Sequence, residues 1–268
     1  MAALRHEELS YRLRGLIFHV RNELQEGWSE EIYHQALVEL LQSNGIPYLS
    51  KPRKALVYRQ EEIHVFEPDL IVWDTIILEL KALPYQTQFL GEQYAQIIHY
   101  LKFFRKDLGL LVNFSPQNIQ IKRVLWDESE LDTLEDYTHI RSHLFQEDRK
   151  NLGQLRQHIL AIARQYGLGY PETVYRQLVA VEVAQNQLSC ETEVEIPATW
   201  NSSVLAYHKT QLLLAVGKYL IHIRSLLDYP TQYDFSRMNT YLNSLELQFG
   251  FVVNFGKRQM QIYGVKST

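Results

Sequence analysis

Two segments 142 residues apart carry the same pattern, and this duplication limits the folds open to the chain more than any other feature. LRGLIFHVRNELQEGWSEEIYHQALVEL begins at Leu13, and LRQHILAIARQYGLGYPETVYRQLVAVE begins at Leu155. The run Gly27-Trp28-Ser29-Glu30-Glu31-Ile32-Tyr33 returns as Gly169-Tyr170-Pro171-Glu172-Thr173-Val174-Tyr175. Farther on, DLIVWDTIILELKAL from Asp69 is matched by LLLAVGKYLIHIRSL from Leu212, and GLLVNF from Gly109 by GFVVNF from Gly250. A chain of 268 residues built this way reads as two copies of one domain of ordinary size. The expected division is 1–126 for the first copy, 127–152 for an acidic linker with a short helix, and 153–268 for the second copy.

Within the first copy, Leu13, Leu16, Ile17, Val20 and Leu24 follow the spacing of an amphipathic helix. Gly27 interrupts it, and Ser29 is placed to cap a second helix from Glu30, with Ile32, Ala36, Leu37, Leu40 and Leu41 as its apolar positions. Asn44-Gly45 and Pro47 end that helix. Strands are expected over 55–58 and 63–66, a helix over 87–104 with Leu90, Tyr94, Ile97, Ile98 and Leu101 inward, and strands over 109–114 and 119–125. This order makes an α/β domain.

The stretch PDLIVWDTIILELK, residues 68–81, holds the chemistry. Two apolar runs separated by Asp74-Thr75 predict an antiparallel hairpin. With a loop over 73–75, residue 72 faces 76 and 69 faces 79, so Asp69 and Glu79 stand side by side with Lys81 on the same face. Two carboxylates that close repel unless a cation lies between them, and a hard divalent ion takes such an oxygen pair together with waters and phosphates. A hairpin with charged ends on a solvated face is the plain alternative at this point.

Composition narrows the partners. The net charge of −4 and pI of about 6.2 do not advertise a nucleic-acid binder, though an acidic metal site accounts for part of the acid. Residues 1–126 hold 14 Lys and Arg against 15 Asp and Glu, so the first copy is not basic either. The single cysteine, Cys190, excludes an intrachain disulfide and a cysteine-rich zinc site and fits a reducing compartment. The charged N-terminus lacks a signal-peptide core and no run of about 18 apolar residues occurs, so a cytoplasmic protein that does not span a membrane is expected.

Four pieces in order, namely Gly27 to Tyr33, Pro68-Asp69 with Glu79-Leu80-Lys81, Gln96 with Tyr100, and GLLVNF, resemble the GxxExxY family of small bacterial and archaeal proteins, a branch of the PD-(D/E)XK nuclease superfamily. The resemblance covers residues 8–125, and His99 stands where the family usually has Asn. It implies a metal-dependent phosphodiesterase. Asp69 and Glu79 would be the central Mg²⁺ (or Mn²⁺) ligands with the Leu80 carbonyl, and Glu30 the third carboxylate. Lys81 would orient or deprotonate the attacking water or stabilise charge on the pentavalent phosphate, and Gln96 and Tyr100, four apart on one helix face, would hold substrate or a metal-bound water. Each residue also has an ordinary role open to it. Glu30 suits the first turn of any helix, Tyr33 and Tyr100 suit packing with a polar tip, His34 and His64 suit partner-bonded histidines, and Lys81 suits an exposed strand edge.

In the second copy Asp69 becomes Leu212, Glu79 becomes His222, Lys81 becomes Arg224 and Gln96 becomes Arg237, leaving Glu172 as the one retained carboxylate. Leu and Arg do not ligate Mg²⁺, so this copy is expected to be catalytically dead. Arg224 and Arg237 would either contact a phosphate or fill the pocket by pairing with Glu172. The expectation is therefore two tandem restriction-endonuclease-like α/β domains forming an intramolecular pseudo-dimer, monomeric as a chain, with one nuclease site acting on nucleic acid, DNA ahead of RNA. The rival is a non-catalytic nuclease-fold protein that serves assembly or nucleic-acid binding.

Overall fold

The computed structural model describes residues 5–115, 118–128, 130–226 and 228–268; the first four residues of the charged N-terminal stretch lie outside them. The chain divides into two compact units, Met1–Leu56 with His64–Glu128, and Val57–Ile63 with Ser129–Thr268.

The first unit contains α1 (Glu7–Leu24), α2 (Glu30–Ser43), β1 (Tyr48–Ser50), β4 (Leu70–Val72), β5 (Ile76–Lys81), α3 (Gly91–Phe104), β6 (Leu108–Asn113) and β7 (Gln120–Leu125). A two-stranded ribbon, β2 (Lys54–Tyr58) and β3 (Glu61–Phe66), lies between β1 and β4 in the chain, and its tip at 57–63 belongs to the second unit. The sheet runs β1-β4-β5-β6-β7, with β5 and β6 parallel and the other neighbours antiparallel. Both faces of its centre are covered, which is why β5 and β6 read as unbroken apolar runs. Leu70, Val72, Ile76, Leu78 and Leu80 pack with Leu13, Ile17, Leu37 and Leu41 of α1 and α2. Ile71 and Ile77 point the other way, to Ile97 and Leu101 of α3. Period-2 alternation then puts Asp69, Glu79 and Lys81 on the α3 side of the sheet.

The hairpin has the expected register: Leu70 pairs with Leu78, Ile71 with Ile77 and Val72 with Ile76. Trp73 and Asp74 take positive φ, 54° and 50°, and Thr75 N–H donates to the Val72 carbonyl at 3.0 Å. Two local expectations fail. The helix expected over 87–104 begins at Gly91, which leaves Leu90 as its exposed N-cap residue and not on the inward face. Ser29 sits at the N-cap of α2, but its side chain makes no capping hydrogen bond; its carbonyl instead takes the N–H groups of Ile32 and Tyr33.

The second unit contains β8 (Asp132–Asp136), α4 (Gln146–Tyr166), α5 (Glu172–Gln185), β9 (Cys190–Glu191), β10 (Val194–Trp200), β11 (Ser203–Thr210), β12 (Leu213–Ala215), β13 (Tyr219–Arg224), α6 (Gln232–Ser244), β14 (Phe249–Phe255) and β15 (Gln259–Lys266). Its sheet order is β8-β15-β14-β13-β12-β9. Five of these strands repeat the first sheet, again with one parallel pair, β13 with β14. The sixth is an addition: β8 runs parallel to β15. The stretch 127–152, expected as a linker, therefore carries a sheet strand and the start of α4. Its polar sequence hides the strand, because β8 joins by backbone pairing at a sheet edge and buries little side chain.

The motif tyrosines have the same place in both copies. Tyr33 is fully buried, stacks on Phe114 at 4.4 Å and donates its hydroxyl to the Gln25 carbonyl at 2.8 Å. Tyr175 stacks on Phe255 at 3.8 Å and donates to the Gly167 carbonyl at 2.7 Å. These tyrosines hold α2 and α5 against their sheets.

Candidate active site

At the end of β5 the structure brings together most of the residues singled out from the sequence. Asp69, on the approach to β4, reaches across the hairpin so that Leu80 N–H donates to its Oδ2 at 2.7 Å. The Asp69 carbonyl is itself pinned, by Lys51 N–H at 2.9 Å and by His34 Nε2 at 3.3 Å. Lys81 Nζ donates to Glu79 Oε1 at 2.6 Å and lies 3.9 Å from Glu30 Oε2. Glu30 enters from the first turn of α2. Gln96 and Tyr100 share one face of α3, with Gln96 Nε2 donating to the Tyr100 hydroxyl at 3.1 Å.

Three carboxylates converge on one lysine, so the electrostatics are unbalanced. Glu79 is only 3% exposed, and burial, followed by the charge of Asp69, pushes its pKa up to about 8. Burial likewise raises Asp69, against the pull of the Leu80 N–H and Lys81. Glu30 is raised in the same way, by burial first, with Lys81 opposing. For Lys81 burial disfavours the charge, yet Glu79 and Glu30 outweigh it and hold the ammonium above its ordinary value. Tyr100 is pushed up to about 12 by burial and then by Glu79.

One atom tests whether a cation fits. Glu79 Oε2 is buried and has no hydrogen-bond partner. A buried orphan carboxylate oxygen costs on the order of 1–3 kcal/mol or more, and a hard cation is the partner that relieves it while also separating Asp69 from Glu79. Among the described residues no group of three or more His, Cys, Asp or Glu side chains is already arranged around one point to hold a metal ion. That is compatible with an ion such as Mg²⁺, which keeps several waters and uses one or two carboxylates.

His34 was not singled out as a site residue, although its spacing from Glu30, four residues on α2, puts both on one helix face. It is buried, and its Nε2 lies near both Ser50 Oγ (3.2 Å) and the Asp69 carbonyl. It is a positioning residue for Asp69. His64 stacks edge-on with Phe66 at 4.6 Å, and His99 is held neutral, its pKa pushed down to about 4 by burial and then by His64.

The matching place in the second unit is closed by its own side chains. Leu212 joins the apolar cluster of Met238 and Leu242 on α6. His222 is 5% exposed, and Arg237 donates to its Nε2 at 2.7 Å. Arg224 bonds Glu172 at 3.2 Å and its Nε lies 3.4 Å from Asp234, a buried acid that also caps α6. Two arginines face two acids, which favours filling of the pocket over phosphate binding.

Two α/β units of one topology, the first with an acid–lysine cluster at the end of its parallel strand pair, define a tandem protein of nuclease-type fold. The sequence profile of the PD-(D/E)XK nuclease superfamily matches residues 7–124 and again 150–265, and the chain belongs to that superfamily. No curated protein matches it significantly. A solved structure titled "Crystal structure of SSO0001" is similar at 20% identity and a TM-score of 0.30, over 37% of this chain and 51% of that one. The chain thus spans about half the length of that protein. Among the described residues no helix is long and apolar enough to cross a membrane.

Proposed function

We propose that the first unit is a metal-dependent nuclease of the GxxExxY branch that hydrolyses phosphodiester bonds in nucleic acid, DNA ahead of RNA. The observation that carries this is the orphan Oε2 of Glu79, buried beside Asp69 and within one hydrogen bond of Lys81. Asp69, Glu79, Glu30 and the Leu80 carbonyl would hold Mg²⁺ or Mn²⁺. The ion, when bound, supplies Lewis acidity toward the phosphate and lowers the pKa of water. Lys81 holds a proton at Nζ beside Glu79, where it stabilises charge on the phosphate and orients the attacking water. Gln96 and Tyr100 present an amide and a hydroxyl from α3 toward the same face and position the strand.

A labelled oligonucleotide incubated with Mg²⁺ or Mn²⁺ tests the reading. Cleavage is expected from the parent chain and a loss on the order of 10²-fold or more from Asp69→Asn and Glu79→Gln. Equal cleavage by those variants would discard it. A second reading, a nuclease-fold protein without catalysis, draws on the lack of a preformed three-ligand group among the described residues. Calorimetry decides between them, since only the nuclease reading expects Mn²⁺ binding that Glu79→Gln abolishes.

A further inference from the structure

Among its described residues the first unit exposes four aromatic side chains, Tyr11, Phe18, Trp28 and Tyr85, and the last two adjoin the acid cluster in the chain. Trp28, two residues before Glu30, is 49% exposed, and Tyr85, four residues after Lys81, is 97% exposed. Chain length alone keeps the Cα of Trp28 within about 7 Å of that of Glu30, and the Cα of Tyr85 within about 14 Å of that of Lys81. Single exposed aromatics are ordinary. Two that bracket one acid cluster from both sides of the chain ask for a reason.

Both are presented on anchored backbone. Trp28 Nε1 donates to the carbonyl of Leu24, the last residue of α1, at 2.9 Å. The loop of Tyr85 is tied at both ends. Asn113 bonds the N–H and the carbonyl of Leu83 at 2.9 and 3.1 Å, and Gln120 Nε2 donates to the Gln86 carbonyl at 3.2 Å. The Trp28 ring, held by its own hydrogen bond, loses little freedom when a flat partner stacks on it, and the tied loop fixes the backbone from which the Tyr85 ring projects. The second unit sharpens the comparison. Tyr170, at the place of Trp28, is only 7% exposed and meets Tyr175 at 6.1 Å. The copy that lacks the counterparts of Asp69 and Glu79 has this ring inward. At the place of Tyr85 the second unit has Asp228, followed by the exposed Tyr229, so the contrast between copies rests on Trp28.

Charge points to the kind of strand. Several basic side chains of the first unit already face acids: Lys51 pairs with Glu31, Arg53 with Glu67 at 3.1 Å, and Lys106 with Asp74 at 2.7 Å. Affinity for a duplex comes largely from cations on phosphates. Unpaired bases offer a π-face to any aromatic, whatever the sequence.

We propose that Trp28 and Tyr85 are base-stacking contacts on the two sides of the acid cluster, and that this unit takes single-stranded nucleic acid. The proposal rests on the nuclease reading for the site's role, and its test is a binding measurement. The full chain with Asp69→Asn, in Ca²⁺, is titrated into a fluorescein-labelled 12-mer oligothymidylate and into a 12-base-pair duplex, at two salt concentrations. Trp28→Ala and Tyr85→Ala should each weaken oligothymidylate binding about 5- to 150-fold. Trp28→Phe and Tyr85→Phe should stay within about twofold, the duplex should bind more weakly, and the salt slope should be shallow. The proposal is overturned if the parent does not bind oligothymidylate, if the alanine variants match the parent, or if the duplex binds as tightly as the single strand. It also falls if Trp28→Phe loses as much binding as Trp28→Ala along with melting temperature, which would make Trp28 a helix cap. Cleavage of the same oligomer by the Asp69-intact chain in Mg²⁺ is scored separately. Stacking losses without cleavage would sink the nuclease reading alone, and cleavage whose KM ignores both alanine variants would sink the stacking proposal alone.

Discussion

His222 and Glu79 occupy the same position in the two copies and answer burial in opposite ways. Glu79 keeps an orphan oxygen for a partner to come, whereas His222 resolves its burial by staying neutral and accepting from Arg237. Burial first, then the charges of Arg237 and Arg224, push the His222 pKa down to about 4. Unfolded, the imidazole titrates near 6.5, so between about pH 6.5 and 4 the unfolded chain binds more protons. The stability tied to neutral His222 is complete above about pH 6.5 and is lost as pH falls toward 4. His222→Gln, which keeps an acceptor for Arg237, should flatten the acid side of the stability profile by up to about one proton, roughly 1.4 kcal/mol per pH unit; denaturant melts at pH 7, 6 and 5 check this. His34 supports a second prediction. It touches Asp69 only through the backbone carbonyl, so His34→Ala should lower cleavage by about tenfold while Mn²⁺ still binds. Loss of all Mn²⁺ binding on that substitution would show that its place in the site is larger than positioning. Spacing along one hairpin made Asp69, Glu79 and Lys81 legible in the sequence. The support of Asp69 by His34 and Lys51 was not, because it depends on β1 and α2 meeting β4, a tertiary event that neither segment's pattern records.

At the scale of elements the duplication acts as an internal control. Gly109 of β6 and Gly250 of β14 occupy the same place in parallel strands, yet their surroundings differ. A Cβ on Gly109 would meet Ile97 Cδ1 at 2.5 Å and Cγ1 at 2.8 Å, the outer part of a buried side chain on α3, whereas a Cβ on Gly250 would meet the Leu220 carbonyl oxygen at 2.5 Å. A side-chain end can rotate away, but a carbonyl in a paired strand cannot move without disturbing the ladder of β13. Gly109→Ala should therefore cost about 1–2 kcal/mol and Gly250→Ala about 3 kcal/mol, measured by urea unfolding with separate probes for each unit. The helices and central strands could be read in advance because each carries an apolar period of its own. β1 and β8 could not. β1 has only three residues, and β8, Asp-Thr-Leu-Glu-Asp, has a single large apolar side chain, so its pairing with β15 follows from an available edge and not from its own pattern.

For the whole molecule, the decisive feature is asymmetry between two units of one topology. The first unit keeps Glu30, Asp69, Glu79 and Lys81 together, while the second retains only the first of these, as Glu172, and has at the other places Leu212 in an apolar cluster, His222, and Arg224 matched by Glu172 and Asp234. The same hairpin register survives there without the acids, so the fold does not require them. A functional reason for Asp69 and Glu79 is then the stronger one, since two close carboxylates are costly to keep at a place the fold leaves free. A chain with one such site is expected to break one strand per encounter. On supercoiled plasmid with Mg²⁺ or Mn²⁺, cutting falls on the unpaired stretches that supercoiling opens, so relaxed circles should accumulate first and linear molecules only later, from attack on the intact strand exposed opposite a nick. Gel densitometry over time separates this from paired cutting. If linear and relaxed forms rise together from the first time points, two sites are cooperating, and either the second unit or a second chain supplies the other one. Repeating the course over a range of protein concentrations then decides, because a second chain makes early linearisation concentration-dependent and a second unit does not.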